Sequence, residues 1–156
     1  MRAGKDYLRT SSKIICMDIE ALIPHRDRMK LLDEVVSVNE NIAVTSARVS
    51  DRWPLCQGNY VDPVVLIEIV AQTAALLISW KKGINTGGSG RGWIVGIKKA
   101  DFFVDRIPLD AVLITTVKEL YHIDRYNVLD GEVTAEAKLL CRVQIQVFRE
   151  IDEDKV

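Results

Sequence analysis

The run Pro63-Val-Val-Leu-Ile-Glu-Ile-Val-Ala-Gln-Thr-Ala-Ala-Leu-Leu-Ile-Ser-Trp80 reads as a helix that is apolar almost all the way round, with no wide polar stripe to offer to water. Such a helix must be enclosed on most of its faces, so the rest of the chain has to supply the wrapper. Inside the run stand Glu68 and, one helical turn later, Gln72. An unpaired carboxylate in an apolar interior costs several kcal/mol, so Glu68 is expected to be paired, protonated or lining a cavity. It is the first place to look for chemistry. The run approaches the length of a membrane span, but Glu68 and Gln72 near its start and Lys81-Lys82 directly after it favour a soluble, protein-enclosed helix and no membrane partner.

The wrapper is legible as strands. Residues 31–38 and 42–49 are short β-rich runs separated by Asn39-Glu-Asn41, the composition of a tight hairpin turn. After the helix, expected from Pro63 to Lys82 and stopped by Gly83, comes a glycine-rich connection to Gly92. Residues 93–97, 111–122, 127–139 and 140–148 then run rich in Val, Ile, Thr and Leu. Two strands, one long buried helix and three or four further strands predict an α+β fold with a curved antiparallel sheet wrapped around that helix.

Several function classes are disfavoured. At 156 residues the chain suits one domain, expected over residues 20–150, with tails at 1–19 and 151–156. A net charge of -1 with 28% charged residues argues against nucleic acid as a partner. Cys16, Cys56 and Cys141 are odd in number and scattered, which argues against a disulfide framework and for a reducing, cytoplasmic setting. The N-terminus has no apolar core of signal-peptide length. His25 and His122 are isolated from other metal-ligand types, so no metal is expected. The glycine-rich stretch lacks the phosphate-loop pattern and follows a helix instead of a strand, so no nucleotide or other cofactor is expected either. No Gly-x-Ser-x-Gly elbow is present.

Four blocks in order carry a family resemblance: Ile23-Pro-His-Arg-Asp-Arg-Met-Lys-Leu-Leu-Asp-Glu-Val35, Gln57-Gly58, Glu68-Ile-Val-Ala-Gln72 and Val95-Gly-Ile-Lys-Lys-Ala-Asp-Phe102. Over roughly residues 20–149 the chain resembles the hotdog-fold 3-hydroxyacyl-[acyl-carrier-protein] dehydratases. The resemblance implies a long helix held in a curved antiparallel sheet, at least a homodimer, and active sites between protomers. It implies an acyl thioester on acyl-carrier protein or coenzyme A as substrate.

Ordinary members carry Gly-His-Phe-Pro-Gly ahead of the helix, its histidine acting on the substrate's α-proton while the helix glutamate of the other subunit handles the β-hydroxyl. Here the corresponding stretch is Gly58-Asn59-Tyr60-Val61-Asp62, and Asn59, a neutral amide, cannot serve as a base. Glu68 matches the family glutamate and Gln72 the family glutamine. The chain looks closer to the dehydratase-like proteins of aryl-polyene pigment clusters, which also lack the histidine motif; there His25 becomes the candidate catalytic partner of Glu68. Gly58, Asn59 and Gln72 are the implied substrate-binding residues. Ser79, eleven residues beyond Glu68, shares its helical stripe. Lys81, Lys82, Arg91, Lys98 and Lys99 are candidates for a basic rim, and Trp53, Trp80 and Trp93 for core or interface. Three activities stay open: a dehydratase, a thioesterase in which Glu68 activates water, and a non-catalytic acyl-binding partner subunit.

Overall fold

The computed structural model describes residues 17–86 and 92–150. A short helix, α1 (Ile19–Leu22), and a 3₁₀ turn (Asp27–Met29) lead into strands β1 (Glu34–Val38) and β2 (Ile42–Arg48). Two-residue strands β3 (Cys56–Gln57) and β4 (Tyr60–Val61) precede the long helix α2 (Val65–Thr86). Then follow β5 (Gly92–Phe102), β6 (Ile107–Pro108), β7 (Val112–Ile123), β8 (Tyr126–Ala135) and β9 (Lys138–Arg149). Six strands form one sheet in the order β1-β2-β7-β8-β9-β5, every neighbour antiparallel, and β3-β4-β6 form a second, small sheet. This is the hotdog architecture.

The sheet's inner face and α2 make the core. Leu66, Ile69, Val70, Leu76 and Leu77 on the helix are fully buried with Leu113, Leu129 and Ile145 from the sheet. Each such side chain contributes about 1.5–3 kcal/mol of burial. Close approach of helix to sheet depends on Gly131 in β8, because a Cβ there would lie 2.3 Å from Val70 Cγ1. Two hydroxyls at the same interface satisfy each other: the Thr73 hydroxyl donates to the Ile69 carbonyl at 2.9 Å and meets the Thr45 hydroxyl at 2.8 Å.

The expected helix boundaries shift. Residues 62–64 form a tighter entry turn in which Asp62 accepts from the Val64 and Val65 amides, so α2 begins at Val65 instead of Pro63. At the other end the helix runs through Gly83 to Thr86, since an exposed glycine weakens a helix by only about 1 kcal/mol. The β1-β2 turn is as expected, with Asn39 Oδ1 accepting from the Asn41 and Ile42 amides. The β8-β9 turn is not: it falls at Glu136-Ala137, both at positive φ, ahead of the expected break at residues 139–140. β5 extends past Ile97 to Phe102, and residues 31–33 lead into β1 without joining it. Ile19, placed in the N-terminal tail by the sequence reading, sits in α1 and is buried; the remainder of both expected tails lies almost wholly outside the described residues.

Candidate active site

His25 reaches the helix because Arg26 folds the chain around itself. Its guanidinium donates to the carbonyls of Ile23 (2.7 Å), His25 (2.8 Å) and Glu20 (2.7 Å), while Glu20 also pairs with Lys30 at 3.1 Å. Three carbonyls gathered on one planar cation hold the turn that presents His25. His25 Nε2 then lies 3.3 Å from Glu68 Oε1. The imidazole's Nδ1 is buried without a hydrogen-bond partner, so Glu68 is the ring's one polar tie among the described residues.

Glu68 is partly open, with 31% of its side chain exposed, so it lines a cavity instead of being fully enclosed. Gln72 Nε2 donates to Glu68 Oε1 at 2.8 Å and to the Met29 carbonyl at 2.6 Å, and Gln72 Oε1 accepts from the Leu31 amide at 3.0 Å. Among the described residues Glu68 Oε2 has no partner.

The pair stands in a cavity of about 1010 Å³. One wall is the α2 stripe Glu68, Ala71, Ala75 and Ser79; small side chains at this spacing leave a groove about 16 Å long. Trp93 and Ile94 of β5 and Val147 of β9 provide the opposite wall, and the segment Leu22–Arg26 lies at the His25 end. Apolar side chains make up more of the lining than polar ones; Glu20, His25, Arg26 and Glu68 are its polar groups on and around the His25 turn, with Ser79 and Glu150 as further polar members of the lining.

Of the residues singled out in the sequence, the structure joins His25, Glu68 and Ser79 at this cavity and puts Gln72 directly behind Glu68. Gly58 and Asn59 do not line it; they form the β3-β4 turn, where Gly58 takes φ +69° and the Asn59 carbonyl accepts from the Leu109 amide. The basic rim is dispersed: Lys81 pairs with Glu119 at 2.9 Å and Lys99 with Asp101 at 3.2 Å, while Arg91 lies outside the described residues. Trp53 is in the core, Trp80 is half-buried and Trp93 is exposed. His122 is exposed and pairs with Glu119. Sequence reasoning missed Arg26 as the organiser of the His25 turn; its only signal was its place beside His25 in the block that begins at Ile23. Among the described residues no group of three His, Cys, Asp or Glu could hold a metal, and no helix is long and apolar enough to cross a membrane.

A curved antiparallel sheet wrapped around one long helix, with an acid and an imidazole meeting in the groove beside that helix, defines the class of hotdog proteins. The chain belongs to the ApeP-like family, described as ApeP dehydratase, whose profile matches residues 17–156. It is 30% identical over 147 residues to a 3-hydroxyacyl-[acyl-carrier-protein] dehydratase FabZ of Polynucleobacter asymbioticus, covering 85% of this chain and 97% of that protein. A FabZ of Nitrosospira multiformis is 30% identical over 142 residues, covering 82% and 97%. Among solved structures, the dehydratase heterocomplex ApeI:P from Xenorhabdus doucetiae aligns with a TM-score of 0.80 at 18% identity, over 87% of this chain and 93% of that one. A hypothetical thioesterase from Streptococcus pneumoniae with coenzyme A aligns at 0.61 and 15% identity, over 75% and 84%. The chain is a 3-hydroxyacyl-[acyl-carrier-protein] dehydratase-like protein.

Proposed function

We propose that the chain dehydrates a 3-hydroxyacyl thioester through an acid–base pair within one protomer. The contact that carries this reading is His25 Nε2 to Glu68 Oε1 at 3.3 Å, at the head of the groove. The acyl tail lies along Ala71, Ala75 and Ser79, and the thioester head stands at the pair. Neutral His25 takes the α-proton while protonated Glu68 gives its proton to the departing β-hydroxyl, releasing water and leaving the 2-enoyl thioester. The pair is then imidazolium beside carboxylate; loss of one proton from the imidazolium and uptake of one by the carboxylate, both through water entering the open cavity, restore the two groups.

The carrier is acyl-carrier protein or coenzyme A, and the setting is the cytoplasm, in keeping with the free thiols Cys56 and Cys141. The assembly is a homodimer through the free edge of β5, where Trp93, Val95 and Ile97 are exposed in the isolated chain. In that assembly the Gly58-Asn59 turn serves the partner's cavity, which agrees with its place away from its own. A second reading, a partner subunit without turnover, draws on one observation: Asn59 stands where the family histidine would be. Incubating purified protein with 3-hydroxyacyl and saturated acyl thioesters, and measuring both 2-enoyl product and free thiol, separates the readings. Enoyl product alone supports the dehydratase, thiol from both substrates supports a thioesterase, and neither across several chain lengths and both carriers supports the partner subunit.

A further inference from the structure

Gln72 is fully buried and does not line the cavity, so a substrate does not meet it directly. Its hydrogen-bonding capacity is committed elsewhere. A primary amide has two N–H donors; here one goes to Glu68 Oε1 and the other to the Met29 carbonyl, while the amide oxygen takes the Leu31 N–H. The orientation is determined by these partners. A flipped amide would set its oxygen against the Glu68 carboxylate and the Met29 carbonyl, and its NH₂ against the Leu31 N–H. One side chain therefore ties the acid on α2 to the backbone at 29–31, the continuation of the segment that carries His25. Packing alone does not call for this, since a leucine would fill the space with no buried polar atoms to satisfy.

We infer that Gln72 is a positioning residue: it turns Glu68 Oε1 toward itself and His25, leaves Oε2 facing the cavity as the oxygen that exchanges a proton with substrate, and keeps His25 in register with the acid. This rests on the dehydratase reading of the site. The role is positional, so its loss is expected to lower kcat and spare KM; misplacement of reacting groups by about 1 Å costs on the order of 100-fold.

The test uses Gln72→Leu, which removes all three hydrogen bonds at similar volume, and Gln72→Glu, which keeps the acceptor for Leu31 but removes the donors. The chain has two histidines, so a His122→Gln background leaves His25 as the one imidazole signal in ¹⁵N NMR. Gln72→Leu should move that signal in the same sense as Glu68→Gln does, while Gln72→Glu, which sets a second carboxyl beside Glu68, should move it in the opposite sense; both should lower kcat about 100-fold with KM within about threefold of wild type. Should Gln72→Leu fail to fold, Gln72→Glu carries the test. A rise in KM at unchanged kcat would overturn the inference in favour of substrate contact. Unchanged His25 resonances, or failure of both variants to fold, would overturn it in favour of a purely structural role. If wild-type protein shows no turnover, the dehydratase reading falls while the imidazole signal still decides whether Gln72 sets the pair.

Discussion

Two glutamate–histidine pairs lie at opposite ends of α2, and their carboxylates are committed in opposite ways. Near its beginning, Glu68 meets His25 at 3.3 Å; toward its end, Glu119 of β7 meets His122 at 3.0 Å. The distances are close, and the difference lies in how the carboxylate oxygens are committed. Glu119 is 7% exposed, with Oε2 receiving both Lys81 and Asn127 at 2.9 Å and Oε1 receiving His122. Glu68 keeps Oε2 without a partner among the described residues and opens onto a cavity. A saturated acid with a cation on it holds elements together, here α2 to β7 and β8. An acid with one oxygen free can move a proton. The residue types alone do not distinguish the two.

The largest expected effect breaks the symmetry directly. Glu68→Gln removes the proposed proton donor and should cut enoyl-thioester formation by about 10²–10⁴-fold, the usual worth of a general acid. Glu119→Gln, at a residue that does not line the cavity, should leave turnover within about twofold of wild type. Steady-state assays on both variants check the pair together; equal losses would show that the second cluster also serves the reaction. Next comes His25→Ala, expected to cost about 10²-fold in dehydration. It should not raise the release of free thiol from saturated acyl thioesters. Loss of a thiol-releasing activity in this variant would assign His25 to hydrolysis instead.

How far these features could be read from the chain depended on the kind of signal. The helix was legible because eighteen nearly unbroken apolar positions leave the chain few alternatives to a helix enclosed by the rest of the fold. The Asn39 turn was legible because its side chain makes the turn's own hydrogen bonds. The β8-β9 turn was placed late because Glu136 and Ala137 adopt positive φ without the glycine or asparagine that normally announces it. β3, β4 and β6 are two residues each, too short to show alternation. β5 was read short because both of its faces are exposed in the chain, which erases the inside–outside pattern. At the site, Glu68 announced itself by its cost among apolar neighbours. His25 did not, since forty-three positions separate it from Glu68 and no local pattern links them; only the family resemblance did. The Gln72 tether was hidden for the same reason, because two of its partners are backbone atoms.

A smaller effect belongs to stability. Glu119→Ala removes the carboxylate to which the Lys81 ammonium and the buried Asn127 amide both donate, and should destabilise the fold by about 1–3 kcal/mol in denaturant titrations. Glu68→Ala should cost less, because water entering the cavity can reach the Gln72 amide and the His25 ring that lose their acceptor. A larger loss at Glu68 than at Glu119 would reverse the division between a structural and a chemical pair.

The smallest effect is the pH dependence of the structural pair, and its sign follows from its environment. Burial pushes the Glu119 carboxyl up, but hydrogen bonds from Lys81 and His122, the Lys81 charge and the Asn127 amide together outweigh burial and hold it below its ordinary value. A carboxyl lowered in the folded state binds its proton more readily in the unfolded chain. Its contribution is therefore complete above the ordinary glutamate value, about pH 4.3, and is lost as pH falls through the lowered one. Thermal melts of wild type and Glu119→Gln between about pH 3 and pH 7 should differ most at neutral pH and converge at the acid end. The gap should close below the ordinary value, since a neutral amide at this position already resembles the protonated acid. A gap that stays constant across the range would mean that the Lys81–Glu119–Asn127 cluster is held by packing, with the charge on Glu119 contributing nothing.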